Sequence, residues 1–357
     1  MKKSFSKGVA VALALMLMLV MFAGCQNNSS GGSSTATPPP ATTGNTGDAP
    51  KGDPIVLSFV TFIPQNHPQI VTFQREFIDV INEKANGELI FEFKGGPDTF
   101  APMDMGAAAQ SGSVDAAFCL VGSYESMVPA ITGMMLSQLE PEEELDSAYD
   151  YLQEIHHAGG LHWIMRGATT TGGFFITWLK NPVSTPQELE KMLIGSSTGG
   201  KPAVEAWKGA WIQVESNDSY TAMEQGVSTG IAGQPWAIME SQSMAEVANY
   251  AIEHTYYKGT AQFVMNLDKW NSLPPHLQDL ITETVREVTP AIKSIGDEDV
   301  ARCRQGGLDA GMEYITFSPE DAEWYVQSAY DYAWDQLEIK FPEDAAKLRE
   351  YLAPKKN

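Results

Sequence analysis

From Gln26 to Gly52 the chain reads QNNSSGGSSTATPPPATTGNTGDAPKG, with almost nothing apolar. A segment of that composition cannot bury enough surface to offset its ordering entropy. It reads as a flexible tether, stiffer at Pro38-Pro39-Pro40. Compact structure is thereby expected only in the roughly 300 residues from about Pro54 onward, a size at which one core tends to divide into two lobes.

The segment before the tether has a different logic. Lys2, Lys3 and Lys7 precede an apolar run from Val9 to Phe22, then Ala23-Gly24-Cys25. A basic start, a short apolar stretch and small residues before a cut form a signal-peptide layout. The run falls short of the ~20 residues of a comfortable spanning helix. Cysteine directly after the small residues resembles the bacterial lipobox, in which the thiol is diacylated. Residues 1–24 therefore read as a lipoprotein signal peptide, and residues 25–53 as a lipidated Cys25 plus tether. The expected location is extracytoplasmic, at the cell surface or in the periplasm, with the chain anchored to the membrane by Cys25. Cys119, in an apolar strand, and Cys303, between Arg302 and Arg304, read as free thiols rather than a disulfide.

Charge excludes some partners. With 23 basic and 45 acidic residues the formal net charge is −22. Such a surface suits neither nucleic acid nor broad adhesion to anionic lipid.

Beyond Pro54 the chain alternates strands and helices. Ile55–Val60 is β-rich. Ile70, Phe73, Phe77, Ile78 and Ile81 hold helical spacing up to Asn86-Gly87, and Leu89–Phe93 is the next strand. A short helix and the strand around Ala116–Val121 follow. The rhythm repeats with a helix from Pro141, a strand at Leu161–Met165, and further strands at Phe174–Trp178, Met192–Gly195, Ala210–Val214 and Ile231–Gly233. Phe263–Leu267 precedes a long helix from Pro275, which Pro290 can bend, and a last helix starts at Pro319. The pattern is α/β with parallel crossovers, divided as lobe 1 (54–173), lobe 2 (174–262), a return to lobe 1 and the start of a spanning helix (263–295), and lobe 2 with the C-terminal helices (296–350).

Catalytic signatures are missing from the sequence. It holds no phosphate-cradling loop and no nucleophile elbow in the folded part. His156 and His157 are adjacent but not in a metal-binding helix motif, so neither metal nor cofactor is expected. Aromatic residues gather at strand ends and turns instead. A cleft floored by strand ends is where α/β proteins hold ligands. Phe62, Asn66, Tyr124, Phe174, Trp178, Ser196, Trp211, Tyr220, Gln234 and Trp236 are the candidate wall and hydrogen-bonding residues, with Arg166 as the cation.

Several segments resemble the solute-binding subunits of the tripartite ATP-independent periplasmic (TRAP) transporters, of the dicarboxylate-binding type. They are GGPDTFAPMDMGAAAQSGSVDAAF, NPVSTPQELEKMLIG, NDSYTAMEQGVSTGIAG and, most specifically, FVMNLDKWNSLPPHLQDLITETV. The resemblance spans about Ile55 to Ala346. It implies a two-lobe periplasmic-binding-protein-like fold with hinge strands and a long helix across both lobes. It also implies closure on one small-molecule solute, delivery to membrane-embedded subunits driven by a sodium gradient, and no enzymatic activity. One departure stands out: the family's carboxylate-clamping arginine falls at Gly195. A bidentate guanidinium is hard to replace, so the expected solute is a small organic acid with an apolar or aromatic body, its acid group held by Arg166. The competing readings are a neutral-solute receptor, and a sensor or structural lipoprotein on the same fold.

Overall fold

The computed structural model describes residues 52–167 and 169–353. The signal peptide, Cys25, the tether through Lys51 and the tail 354–357 lie outside the described residues.

Among the described residues the strands are β1 (Ile55–Thr61), β2 (Leu89–Gly95), β3 (Ala116–Leu120), β4 (Leu161–Arg166), β5 (Phe175–Leu179), β6 (Leu193–Ser196), β7 (Ala210–Gln213), β8 (Gly230–Pro235), β9 (Tyr250–Tyr256), β10 (Ala261–Asn266) and β11 (Glu313–Ile315). They form two sheets, ordered β2-β1-β3-β10-β4 and β11-β9-β5-β8-β6-β7. The α/β two-lobe architecture expected from the alternation is the one observed.

Each lobe has its own packing logic. The helical run Pro68–Phe73, Gln74–Ile78 and Asp79–Lys84 lays Ile70, Phe73, Phe77, Ile78 and Ile81 on the first sheet, all buried. Phe73 meets Phe118 and Phe263 there, with ring centroids 4.6 and 4.9 Å apart. The second lobe is softer: Trp178 and Trp236 cross edge to face among Met223, Met239, Met244, Met312 and Cys303. Cys119 and Cys303 are both buried and unpaired. Burial pushes their thiols up to about 12 and about 11, so neither is poised to react.

Two short links join the sheets: residues 167–174 from β4 to β5, and residues 257–260 from β9 to β10. They are bound to each other, because Phe174 N–H donates to Tyr257 O at 2.6 Å and Lys258 Nζ donates to Gly172 O at 2.5 Å. The helix Pro275–Asp309, 35 residues and unbroken through Pro290, runs behind them. Its Gly296 lets the first link lie against the helix backbone: a Cβ there would sit 2.1 Å from Thr169 O. One residue on, Asp297 accepts from Thr171 N–H and Oγ1, both at 2.7 Å. The C-terminal helix Pro319–Lys340 bridges the halves, packing on the helix Lys201–Ala206 and on β9, and setting Trp334 and Leu337 against Gly133.

Alanine at an ordinary helical glycine stabilises by up to ~1 kcal/mol. At position 296 the opposite is expected. Gly296→Ala should destabilise by about 1–3 kcal/mol in urea unfolding, as overpacking does. A neutral or stabilising result would mean that the link does not depend on this approach.

Candidate functional site

Strand direction places the site. β1 pairs parallel with β2 and β3, whereas β10 runs antiparallel to β3 and β4. Strands β1 to β4 therefore all end at the edge from which the first link departs. In the other sheet β5 is antiparallel to β8 and β9, β6 is parallel to β7 and β8, and β11 is parallel to β9. The ends of β6, β7, β8, β9 and β11 thus face the same links. Two sets of carboxyl ends thus face the links, and the candidate cleft is the space between them, the place where open α/β sheets hold ligands.

From the first lobe this cleft receives residues 62–67 after β1, 95–100 after β2 and 121–124 after β3. The second lobe contributes residues 196–200 after β6, 214–218 after β7 and 234–238 after β8. Phe62 is half-buried and stacks on Phe118 at 5.9 Å, and Asn66 beyond it is exposed. Phe174 lies half-buried at the end of the first link, edge-on to Phe175. Ser196 and Trp211 come together, as Trp211 Nε1 donates to Ser196 Oγ at 2.9 Å. Gln234 is buried at the end of β8 and accepts from Ser216 Oγ at 2.7 Å.

The remaining candidates are either buried in the cores or lie outside these segments. Trp178 and Trp236 are core residues of the second lobe. Trp178 is deep in β5, opposite Ile231 and Ala251, so its ring lies within the sheet-covering layer rather than at a strand end. Tyr124 is fully buried and faces His156 Nε2 at 3.4 Å. Tyr220 lies on the helix Ser219–Glu224 and donates to Glu246.

Arg166 differs most from its expected role. It is 5% exposed and already bound. Its Nε and Nη2 donate to the two oxygens of Glu144 at 3.0 and 2.6 Å, Nη2 also to Met134 O at 2.9 Å, and Nη1 to Gly259 O at 2.9 Å. Glu144 occupies the bidentate position that a solute carboxylate would take. Nearby, Lys258 Nζ is 3.7 Å from Glu140, and Lys293 lies 2.9 Å from Glu142. The result is a polar knot around the links. Sequence reasoning missed Glu144 and Lys258, because the acidic turn at Pro141 looks like ordinary helix-start chemistry.

Gly195 is packed shut. A Cβ there would lie 2.6 Å from Val214 Cγ2 and 2.8 Å from Ile231 Cδ1. The sequence departure is therefore matched by neighbours that fill the space. His156 and His162 are structural in setting: burial lowers His156 to about 4, and His162 stacks on Trp270 at 3.6 Å.

Comparison with known proteins supplies a context for this cleft. A family model described as bacterial extracellular solute-binding protein, family 7 (DctP), matches residues 59–339. The fold is similar to a TRAP periplasmic solute-binding protein of Rhodobacter sphaeroides in an apo open state, at 19% identity and TM-score 0.69, covering 84% of this chain and 96% of that one. It is also similar to one from Desulfovibrio salexigens with bound orotic acid (17%, TM-score 0.65, covering 82% and 99%). A third, from a Sulfitobacter species with bound β-D-galacturonate, matches at 17% and TM-score 0.65, covering 84% and 100%.

If Arg166 serves the links, Arg166→Ala should strip Glu144 of its partner and destabilise by about 3–5 kcal/mol. The double change Arg166→Met with Glu144→Leu should recover most of that loss, as read by urea unfolding. A stable Arg166→Ala protein that has lost only solute binding would return the residue to a ligand role.

Proposed function

The chain belongs to bacterial extracellular solute-binding protein family 7, the solute-binding subunits of TRAP transporters. From that premise we propose that it captures a small organic acid with a flat, apolar or aromatic body and delivers it to the transporter's membrane subunits. The observation that carries the reading is the convergence of strand ends from both sheets on a cleft bearing Phe62, Phe174 and Trp211, with Asn66, Ser196 and Gln234 as directional hydrogen-bonding groups. Rings of this kind provide large contact area at low entropic cost. Relatives of the same fold hold orotic acid and galacturonate, both carboxylates. The lobes, taken as 54–173 with 263–295 and 174–262 with 296–350, close as rigid bodies about the two links.

The solute should be recoverable. Denaturing the purified protein and analysing the supernatant by mass spectrometry should release a small carboxylic acid. Adding that acid back should shrink the radius of gyration in solution scattering. Release of a neutral compound, or binding without any change in radius, would overturn the acid or the closure respectively.

Cys25, acylated after removal of residues 1–24, anchors the protein outside the cell in this reading. The support is the lipobox-like Ala23-Gly24-Cys25 and the polar tract that follows. Cys25→Ser should move the protein from the membrane to the soluble fraction, and retention on the membrane without an N-terminal lipid adduct would contradict the anchor.

A further inference from the structure

An acid in this cleft needs a cation, and the usual suppliers are engaged. Among the described residues, the loops that close the strand ends carry few bases: His67 after β1, Lys201 after β6 and Lys258 in the second link, with Arg166 at the end of β4. Arg166 is held by Glu144, and Lys258 by Gly172 O and Glu140. Half-buried, His67 accepts from Gln69 N–H through Nδ1, and burial keeps it below the ordinary histidine range. Lys201 is different. Its side chain is 43% exposed and its ion-pair partner, Glu205, lies at 3.6 Å on its own helix.

Resting on the solute-receptor reading above, we propose that Lys201 receives the acid group of the solute, with the Trp211 ring and the Ser196 loop forming the surface beneath it. Lys201 Nζ stands 4.9 Å over the Trp211 ring, whose indole N–H is fixed by Ser196 Oγ. The loop that carries the lysine lies against β8 and near the first lobe. Gly200 Cα lies 3.0 Å from where a Cβ on Gly233 would be, so only glycine at 233 lets β8 approach it. On the other side Met135 Cε, from the segment preceding the links, lies 3.9 Å from the Cβ position of Gly199. Lys201 is thus presented at the mouth between the lobes. A cation seated over an indole leaves its remaining N–H groups to the cleft. An anion that is bound there, with an unsaturated ring beside Trp211, replaces water around an ammonium already partly desolvated. The position is five residues beyond the end of the strand in which Gly195 is packed shut, so the charge moves along the loop rather than vanishing from the lobe.

The experiment compares acids with their neutral amides by calorimetry: orotate, pyroglutamate and benzoate, together with any acid released from the purified protein. Wild type should bind at least one acid about tenfold or more tightly than its amide. Lys201→Met should abolish that preference while leaving amide binding unchanged, and Lys201→Arg should retain it. The lysine is half-exposed, so the variants should unfold at the wild-type urea midpoint, which removes misfolding as a cause. Glu205→Gln serves as a control and should bind the acid at least as well as wild type. Acid binding unchanged in Lys201→Met overturns the assignment of Lys201 and leaves the receptor reading standing. A wild-type chain that binds no acid, whether added or its own, overturns both.

Discussion

The buried pair of Arg166 and Glu144 is the constraint on which the two-lobe arrangement turns. A buried ion pair adds little net stability, since desolvation consumes much of the attraction. Its effect is positional. The guanidinium reaches from β4 to the carbonyls of Gly259 in the second link and Met134 in the preceding segment, while Glu144 holds it from the helix Pro141–Ser147. Pulling any of these apart would leave a charge or a carbonyl bare in a dry place, at several kcal/mol. The links therefore stay docked on one another where the chain crosses between the sheets.

The crossing of the links also requires glycine at 296. The long helix must run close behind the first link, and only a residue without a Cβ lets Thr169 O approach its backbone. Asp297, the next residue, converts the proximity into two hydrogen bonds to Thr171. The helix is thereby fixed at the crossing point of the chain, packing on Asp79–Lys84 and Pro141–Ser147 on one side and on Ile238–Ser241 on the other.

Most of the architecture was legible because burial imposes periodicity. The helical run from Ile70 to Ile81 and the strands at Ile55–Val60 and Leu89–Phe93 all survive in the structure. β9 was not legible. Its Glu253-His254-Thr255 stretch reads as surface, although the strand lies next to β5 inside the second sheet, where Arg304 and Phe317 N–H satisfy Glu253 and His254. The site was legible only in part. Strand-end aromatics are visible in sequence, but the pleat decides which of them face solvent. Trp178 falls on the covered face, whereas Trp211 leans along the strand toward Ser196. Arg166 was conspicuous as a lone base at a strand end. Its partner Glu144 lies 22 residues earlier, and no local pattern joins the two.

Gly195 carries the chemical consequence. An arginine there would need space that Val214 and Ile231 fill, so the lobe is not a receptor that has merely lost its clamp. A guanidinium fork fixes the plane and direction of a carboxylate, whereas an ammonium fixes only its distance. With Lys201 as the cation, orientation of the solute has to come from its body. The Trp211 ring, the half-buried Phe62 and Phe174, and the amide of Gln234 are the groups left to supply it. A flat solute can meet those rings face-on while its acid end tolerates some angular freedom. A flexible aliphatic diacid would forfeit both the stacking and the second fork, so discrimination in this cleft falls on the shape of the ring rather than on the number of charges.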